Sequence, residues 1–108
     1  MSELECLADA VAEARTLLQR HGDIFTSQRM EDLEANLRAG DTTAIVRAIS
    51  EATGGMGSLS DRILCVENGD SIEAMDVAAV NARLRANVQE IERRARLAAA
   101  AHGVTLMR

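Results

Sequence analysis

Apolar residues recur along most of this chain at alternating steps of three and four, the repeat that places them on one side of an α-helix. Leu4, Leu7, Val11, Ala14 and Leu18 form the first stripe. Ser2 and Glu5 have the spacing of a capping box at its start and His21-Gly22 marks its end, so a helix of about five turns is predicted. After a short connection around Ile24 and Phe25, Thr26 or Ser27 can cap a second helix. Its inner positions are Met30, Leu33 and Leu37, and Gly40 stops it. Phe25, the lone aromatic, is expected to anchor the core where that helix starts. Asp41 caps a third stripe of Ile45, Ala48, Ile49 and Ala52. Because Gly40-Asp41 leaves almost no linker, the second and third helices should form a tight antiparallel or angled hairpin. From about Ser71, with Asp70 and Glu73 as a capping box, the longest stripe follows through Val77, Val80, Leu84, Val88, Ile91, Ala95 and Ala98. It ends at His102-Gly103.

Between the third and fourth stripes the periodicity fails. Gly54, Gly55 and Gly57 cannot continue a helix cheaply, while Ser58, Ser60 and Asp61 can each cap a new start. Two readings fit: a stop, turn and restart, or a nest of N–H groups that binds an anion at a helix N-terminus. In the second, Gly55, Met56, Gly57, Ser58 and Asp61 contact the ligand or partner. The spacing and the lysine of a phosphate-binding P-loop are absent, which excludes that motif. The run Ile63-Leu64-Cys65-Val66 is too short to assign by period, and Asn68-Gly69 is a turn signal. A minor β-hairpin and an irregular loop after a short helix are both open. The predicted fold is a single all-α domain over residues 1–108, with four principal helices, the C-terminal one longest.

Composition sharpens this picture. Apolar residues make up 47% of the chain, but the alanines dominate them, so helices should pack closely while each side chain buries little area. Such a core implies marginal stability alone or support from a partner. All 12 basic residues are arginine, which fits a coding bias better than a function. The net charge of −5 argues against a nucleic-acid binder and gives no reason to expect an anionic membrane surface. Charge is uneven: residues 1–82 carry 6 arginines against 15 acids, residues 83–108 carry 6 arginines against 2. That asymmetry suggests head-to-tail contacts within or between copies, or an acidic surface awaiting a basic partner. Glu5, Asp9 and Glu13 form an acidic ridge on the first helix, either a solvated face or a partner-binding one. The arginines of the last helix are mostly explained by the four-residue pairs Glu90–Arg94 and Glu92–Arg96. With no basic-apolar leader and no membrane-length stretch, the expected location is the cytoplasm.

Catalytic and metal chemistry find little purchase. Cys6 and Cys65 form no CxxC or Cys/His pattern, so two reduced thiols are expected, with a disulfide only in an oxidising compartment. His21 and His102 each precede a glycine at a helix end, where capping is the expected role. Neither ExxH, HExxH nor an EF-hand loop occurs, so no metal and no cofactor is expected. A nucleophile among Ser58, Ser60, Cys6 and Cys65 would need a base beside it, and both histidines are at helix ends. The chain is therefore not expected to be an enzyme. Asp61 is the strongest single functional candidate, its structural alternative being a cap for its own loop.

The stretch Gly55-Met56-Gly57-Ser58-Leu59-Ser60-Asp61, with Leu37-Arg38-Ala39-Gly40-Asp41 before it and Asn81-Ala82-Arg83-Leu84 after it, resembles a family of small bacterial proteins of unknown function. Their signature is GGMGS-x-x-D after a helical N-terminal half, and the resemblance covers roughly residues 20–100. It implies a compact helical domain and carries no activity or catalytic residue with it. Such signatures often hold a bulky aromatic where this chain has Leu59. The leading functional expectation is a cytoplasmic protein-binding module, of the immunity or inhibitor type, that presents an acidic surface to a basic partner. The alternative is a small-molecule or anion-binding domain, catalytic or not, built on residues 54–61, with Ser58, Ser60 and Asp61 against the ligand. A third is a homodimer formed by the C-terminal stripe.

Overall fold

Four α-helices carry the four stripes in a computed structural model that describes residues 2–55 and 57–106: α1 (Glu3–Arg20), α2 (Ile24–Arg38), α3 (Thr43–Thr53) and α4 (Val77–His102). The architecture is all-α with the C-terminal helix longest, and no strand occurs among the described residues. The Ser2 side chain accepts the Glu5 N–H at 3.1 Å and starts α1, while the Glu5 carboxylate stays in solvent. Asp41 accepts both the backbone N–H and the hydroxyl of Thr43 just ahead of α3, but Thr42 rather than Asp41 holds its N-cap position and makes no side-chain cap. Gly103, with φ of 67°, lets the chain fold back so that Val104 N–H reaches the Ala99 carbonyl and closes α4.

α1 packs along α2 on one side and along α4 on the other, and α3 closes the group against α4. The turn between α2 and α3 is as short as expected, and Arg29 of α2 bonds Glu51 of α3 at 3.0 Å near their far ends, although α3 packs more extensively on α4 than on α2. The inward stripes follow those read from the sequence: Leu4, Leu7, Val11, Ala14 and Leu18 on α1, Met30, Leu33 and Leu37 on α2, Ile45, Ala48, Ile49 and Ala52 on α3, and Leu84, Val88, Ile91, Ala95 and Ala98 on α4, while Val77 and Val80 at the start of α4 are only half-buried. Leu59 and Leu64, from the connection between α3 and α4, complete this core. A fully buried leucine contributes roughly 2 kcal/mol. The alanines contribute far less each and chiefly permit close approach.

Five further expectations need correction. Phe25 is not a core anchor: it is 72% exposed. Asp23, rather than Thr26 or Ser27, caps α2 by accepting the Thr26 N–H at 3.0 Å, so the helix starts at Ile24 and turns Ser27, Met30 and Leu33 inward. Phe25 then lies about 200° around the helix from Ser27. The start of α4 is also later than expected, at Val77, because Asp70 is committed to side chains and backbone outside any helix. Residues 62–72 form no hairpin. Gly69 does make a left-handed turn, yet the flanking backbone groups bond to side chains instead of to each other. Neither imidazole caps its own helix: His21 holds the C-cap position of α1 through its backbone while its ring reaches across to Ser71, and the His102 side chain is exposed.

Candidate functional site

The connection of residues 54–76 holds its shape through polar attachments to the bundle. Asn81, buried on the first turns of α4, acts as a substitute strand for Leu64: its Oδ1 accepts the Leu64 N–H and its Nδ2 donates to the Leu64 carbonyl, both at 2.8 Å. The second proton of Nδ2 goes to the Val77 carbonyl at 2.8 Å, so the amide is fully used. Arg62 is held between two carboxylates, donating from Nε to Asp23 at 2.9 Å and from a terminal nitrogen to Asp70. Another terminal nitrogen donates to the Ile63 carbonyl. Asp70 also accepts the Cys65 N–H at 2.9 Å, which folds residues 65–70 into a closed loop. His21 Nδ1 lies 2.8 Å from the Ser71 carbonyl, which fixes the proton on Nδ1, and Ser71 N–H returns a bond to the His21 carbonyl at 2.9 Å.

The charges in this clamp stabilise one another. Partial burial works to raise the Asp23 pKa, but the Thr26 N–H and the Arg62 guanidinium outweigh it and hold the carboxyl below its ordinary value. Burial likewise opposes the Arg62 charge, and its bonds to Asp23 and Asp70 more than offset that, raising its pKa above the usual guanidinium value.

The glycine turn is tightly built at one point and open elsewhere. A Cβ on Gly54 would stand 2.3 Å from the Ser50 carbonyl oxygen, so close approach demands glycine there although its φ is ordinary. Gly55 and Gly57 face open space and are needed for positive φ alone, 104° and 83°. Within the turn, Ser58 N–H bonds the Gly55 carbonyl and Asp61 N–H bonds the Ser58 carbonyl, so these two donors are spent internally. Ser58 is buried, its hydroxyl 2.9 Å from that of Ser60. Arg29 donates to the Gly57 carbonyl at 3.1 Å and to Glu51 at 3.0 Å, so at Gly57 the loop presents an acceptor. Asp61 is exposed and neither caps the loop nor pairs with a cation among the described residues. Leu59 is 1% exposed and belongs to the core, where it cannot meet a partner. Met56 lies outside the described residues.

What this assembly presents to solvent is unusual for so small a protein. Ile63, Val66 and Met75 project from the connection, and Ile24 and Phe25 from the adjoining start of α2. Met75 is 87% exposed. The Asp23–Arg62 pair joins Ile24 to Ile63, and the Arg29 guanidinium, 5.5 Å over the Phe25 ring, joins Phe25 to Gly57. Beside these apolar groups the carboxylates of Asp61, Glu67, Glu73 and Asp76 are exposed and have no partner among the described residues.

The acidic ridge of α1 is differently placed. Asp9 is bound to Arg38, which also binds Glu34, and Glu34 binds Arg15, so a network spans α1 and α2. Glu5 is exposed, and Glu13 lines a groove against α4. Residue patterns did not reveal the apolar cluster, because exposure of Phe25 depends on which residue caps α2. A usable signal existed in Val66 and Met75, which fall outside every stripe. Cys6 and Cys65 are unpaired and half-buried. Among the described residues, no group of three or more His, Cys, Asp or Glu side chains could hold a metal ion, and no helix is long and apolar enough to cross a membrane. No protein-family model, curated protein or solved structure matches this chain.

Proposed function

We propose that this protein is a protein-binding module whose contact surface is the connection between α3 and α4 together with the start of α2. The observation that carries the proposal is the pairing of exposed apolar side chains, Phe25 and Met75 foremost, with four carboxylates that have no cation of their own among the described residues. Large apolar groups rimmed by polar ones mark interaction sites. Unpaired carboxylates around them favour a partner that brings arginine or lysine beside its own apolar anchors. The clamp of Arg62, Asp23, Asp70 and Asn81 supports this role by holding the surface in one shape before contact, which lowers the ordering cost of binding. An inhibitor or immunity-type protein acting on a basic target is the most concrete form of the proposal.

Affinity capture with three tagged proteins tests it: wild type, Phe25→Asp/Met75→Asp and Glu67→Arg/Glu73→Arg. All four positions are exposed, so the variants should fold as wild type does. The expected result is one stoichiometric basic protein on the wild type that is lost from both variants. Equal recovery on all three would exclude this surface, and a second copy of the chain as the captured species would make the face a homodimer interface.

A further inference from the structure

We propose that the groove between α1 and α4 is a binding site for a small carboxylate. Thr16, Leu17 and Arg20 of α1 and Arg83 and Asn87 of α4 line a depression of about 280 Å³, with Glu13 at its margin. Three features of these residues point to a ligand. Arg20 and Arg83 have no ion-pair partner among the described residues, as Arg47 and Arg85 outside the groove also have none, whereas Arg15, Arg29, Arg38, Arg62, Arg93, Arg94 and Arg96 all do. The side chain of Asn87 faces the groove from a residue only 8% exposed, and its carboxamide has no hydrogen-bond partner among the described residues. A buried amide elsewhere in the same helix, Asn81, uses its oxygen and both its protons. An amide whose polar atoms are open to the groove and bond no group among the described residues, flanked by two guanidiniums without ion pairs, offers a ligand both donors and an acceptor.

The chemistry of the ligand follows from these donors. Two guanidiniums in reach of one depression suit a planar carboxylate, which each can bind with two parallel bonds. Glu13 disfavours a second negative charge at the α1 margin and favours an amino group there. The Asn87 amide can donate to or accept from the atoms between. The volume sits at the lower edge of small-molecule sites and fits a ligand of a few heavy atoms rather than a nucleotide. The site is therefore assigned to amino-carboxylates of free amino-acid size. It lies against α1 and α4, apart from the protein-binding surface proposed above, and either assignment can fail without the other.

Titration followed by NMR of the Asn87 side-chain amide tests this directly, with glycine, 4-aminobutyrate, acetate and inorganic phosphate as probes. Saturable shifts of that amide are expected with the amino-carboxylates, at a dissociation constant of about 1 mM or tighter. Arg20→Met and Arg83→Met should each weaken binding about tenfold or more, since each removes a charge-assisted contact. Arg85→Met removes an exposed, unpaired arginine outside the groove and should change nothing. An Asn87 amide that moves with no probe up to about 10 mM would overturn the assignment. So would shifts that survive both groove substitutions. Binding of phosphate alone would replace the carboxylate by a general anion.

Discussion

At the scale of single residues, Asn81 decides the most. One amide supplies both backbone partners of buried Leu64, a pairing that in a sheet would take a whole strand. Replacing Asn81 by alanine leaves an N–H and a carbonyl unpaired in the interior, and a loss of about 2–4 kcal/mol is expected in urea unfolding. Asn81→Asp should separate hydrogen bonding from packing. Its carboxylate would accept the Leu64 N–H but face the Leu64 and Val77 carbonyls, which favours the protonated form and raises the folded-state pKa above its unfolded value. Stability is then present below about pH 4 and lost as pH rises through the folded value, so this variant should gain relative to wild type on acidification. A difference independent of pH would mean that Asn81 matters for its volume alone. No spacing in the sequence announces this role. An asparagine on an otherwise apolar stripe looks like a lapse in amphipathicity until the chain that returns beside it is known. Phe25 shows the opposite failure: an apolar residue legible by type was misplaced, because exposure turned on a cap two residues earlier.

At the scale of elements, the helices were legible and the connection was not, for a physical reason. The periodicity of α1 to α4 is repeated many times, so an error of one cap leaves the stripe intact. Residues 54–76 are organised by contacts each made once, between groups far apart in sequence: Arg62 with Asp23, Asn81 with Leu64, His21 with Ser71. The Asn68-Gly69 turn was correctly signalled, but the partners of its flanks were side chains that no local rule identifies. This organisation gives the connection a pH dependence. Asp23→Asn keeps a competent helix cap and removes the charge facing Arg62 and Asp70, isolating the ion pair. Because the folded pKa of Asp23 is depressed, its contribution is complete above about pH 5 and disappears as pH falls through the folded value, below about 4. Arg62, its pKa raised, stays charged throughout. Wild type should exceed Asp23→Asn by about 1–2 kcal/mol at pH 7, and the gap should close as pH falls through the folded value. A gap that stays constant through that fall would show that the carboxylate charge plays no part.

At the scale of the whole molecule, the uneven charge seen in the sequence acquires a location. The arginines of the C-terminal half of α4 are largely answered on their own helix, Arg93 and Arg94 by Glu90 and Arg96 by Glu92. Arg15 of α1 and Arg38 of α2 are answered across that pair of helices by Glu34 and Asp9, and Arg29 by Glu51 of α3, while Arg20 has no ion-pair partner among the described residues. Exposed carboxylates with no cation partner among the described residues lie on the connection, at Asp61, Glu67, Glu73 and Asp76, and also on α1 and α2, at Glu5, Glu13, Glu31 and Asp32. Long-range attraction depends on such a residue of field, not on the number of acidic side chains in a stretch. Two acidic surfaces thus make different predictions for the association rate with a basic partner. Glu67→Arg/Glu73→Arg should slow association about tenfold at low ionic strength, the difference fading above about 0.5 M salt as screening shortens the reach of both fields. Glu5→Arg/Glu13→Arg should slow it much less, since Asp9 between them is bound to Arg38 and Glu13 shares its groove with Arg20 and Arg83. Stopped-flow rates for the two double variants against the captured partner, at two salt concentrations, separate the cases. Equal slowing by both would place the partner across α1 as well, and slowing by the α1 pair alone would move the contact surface to that helix.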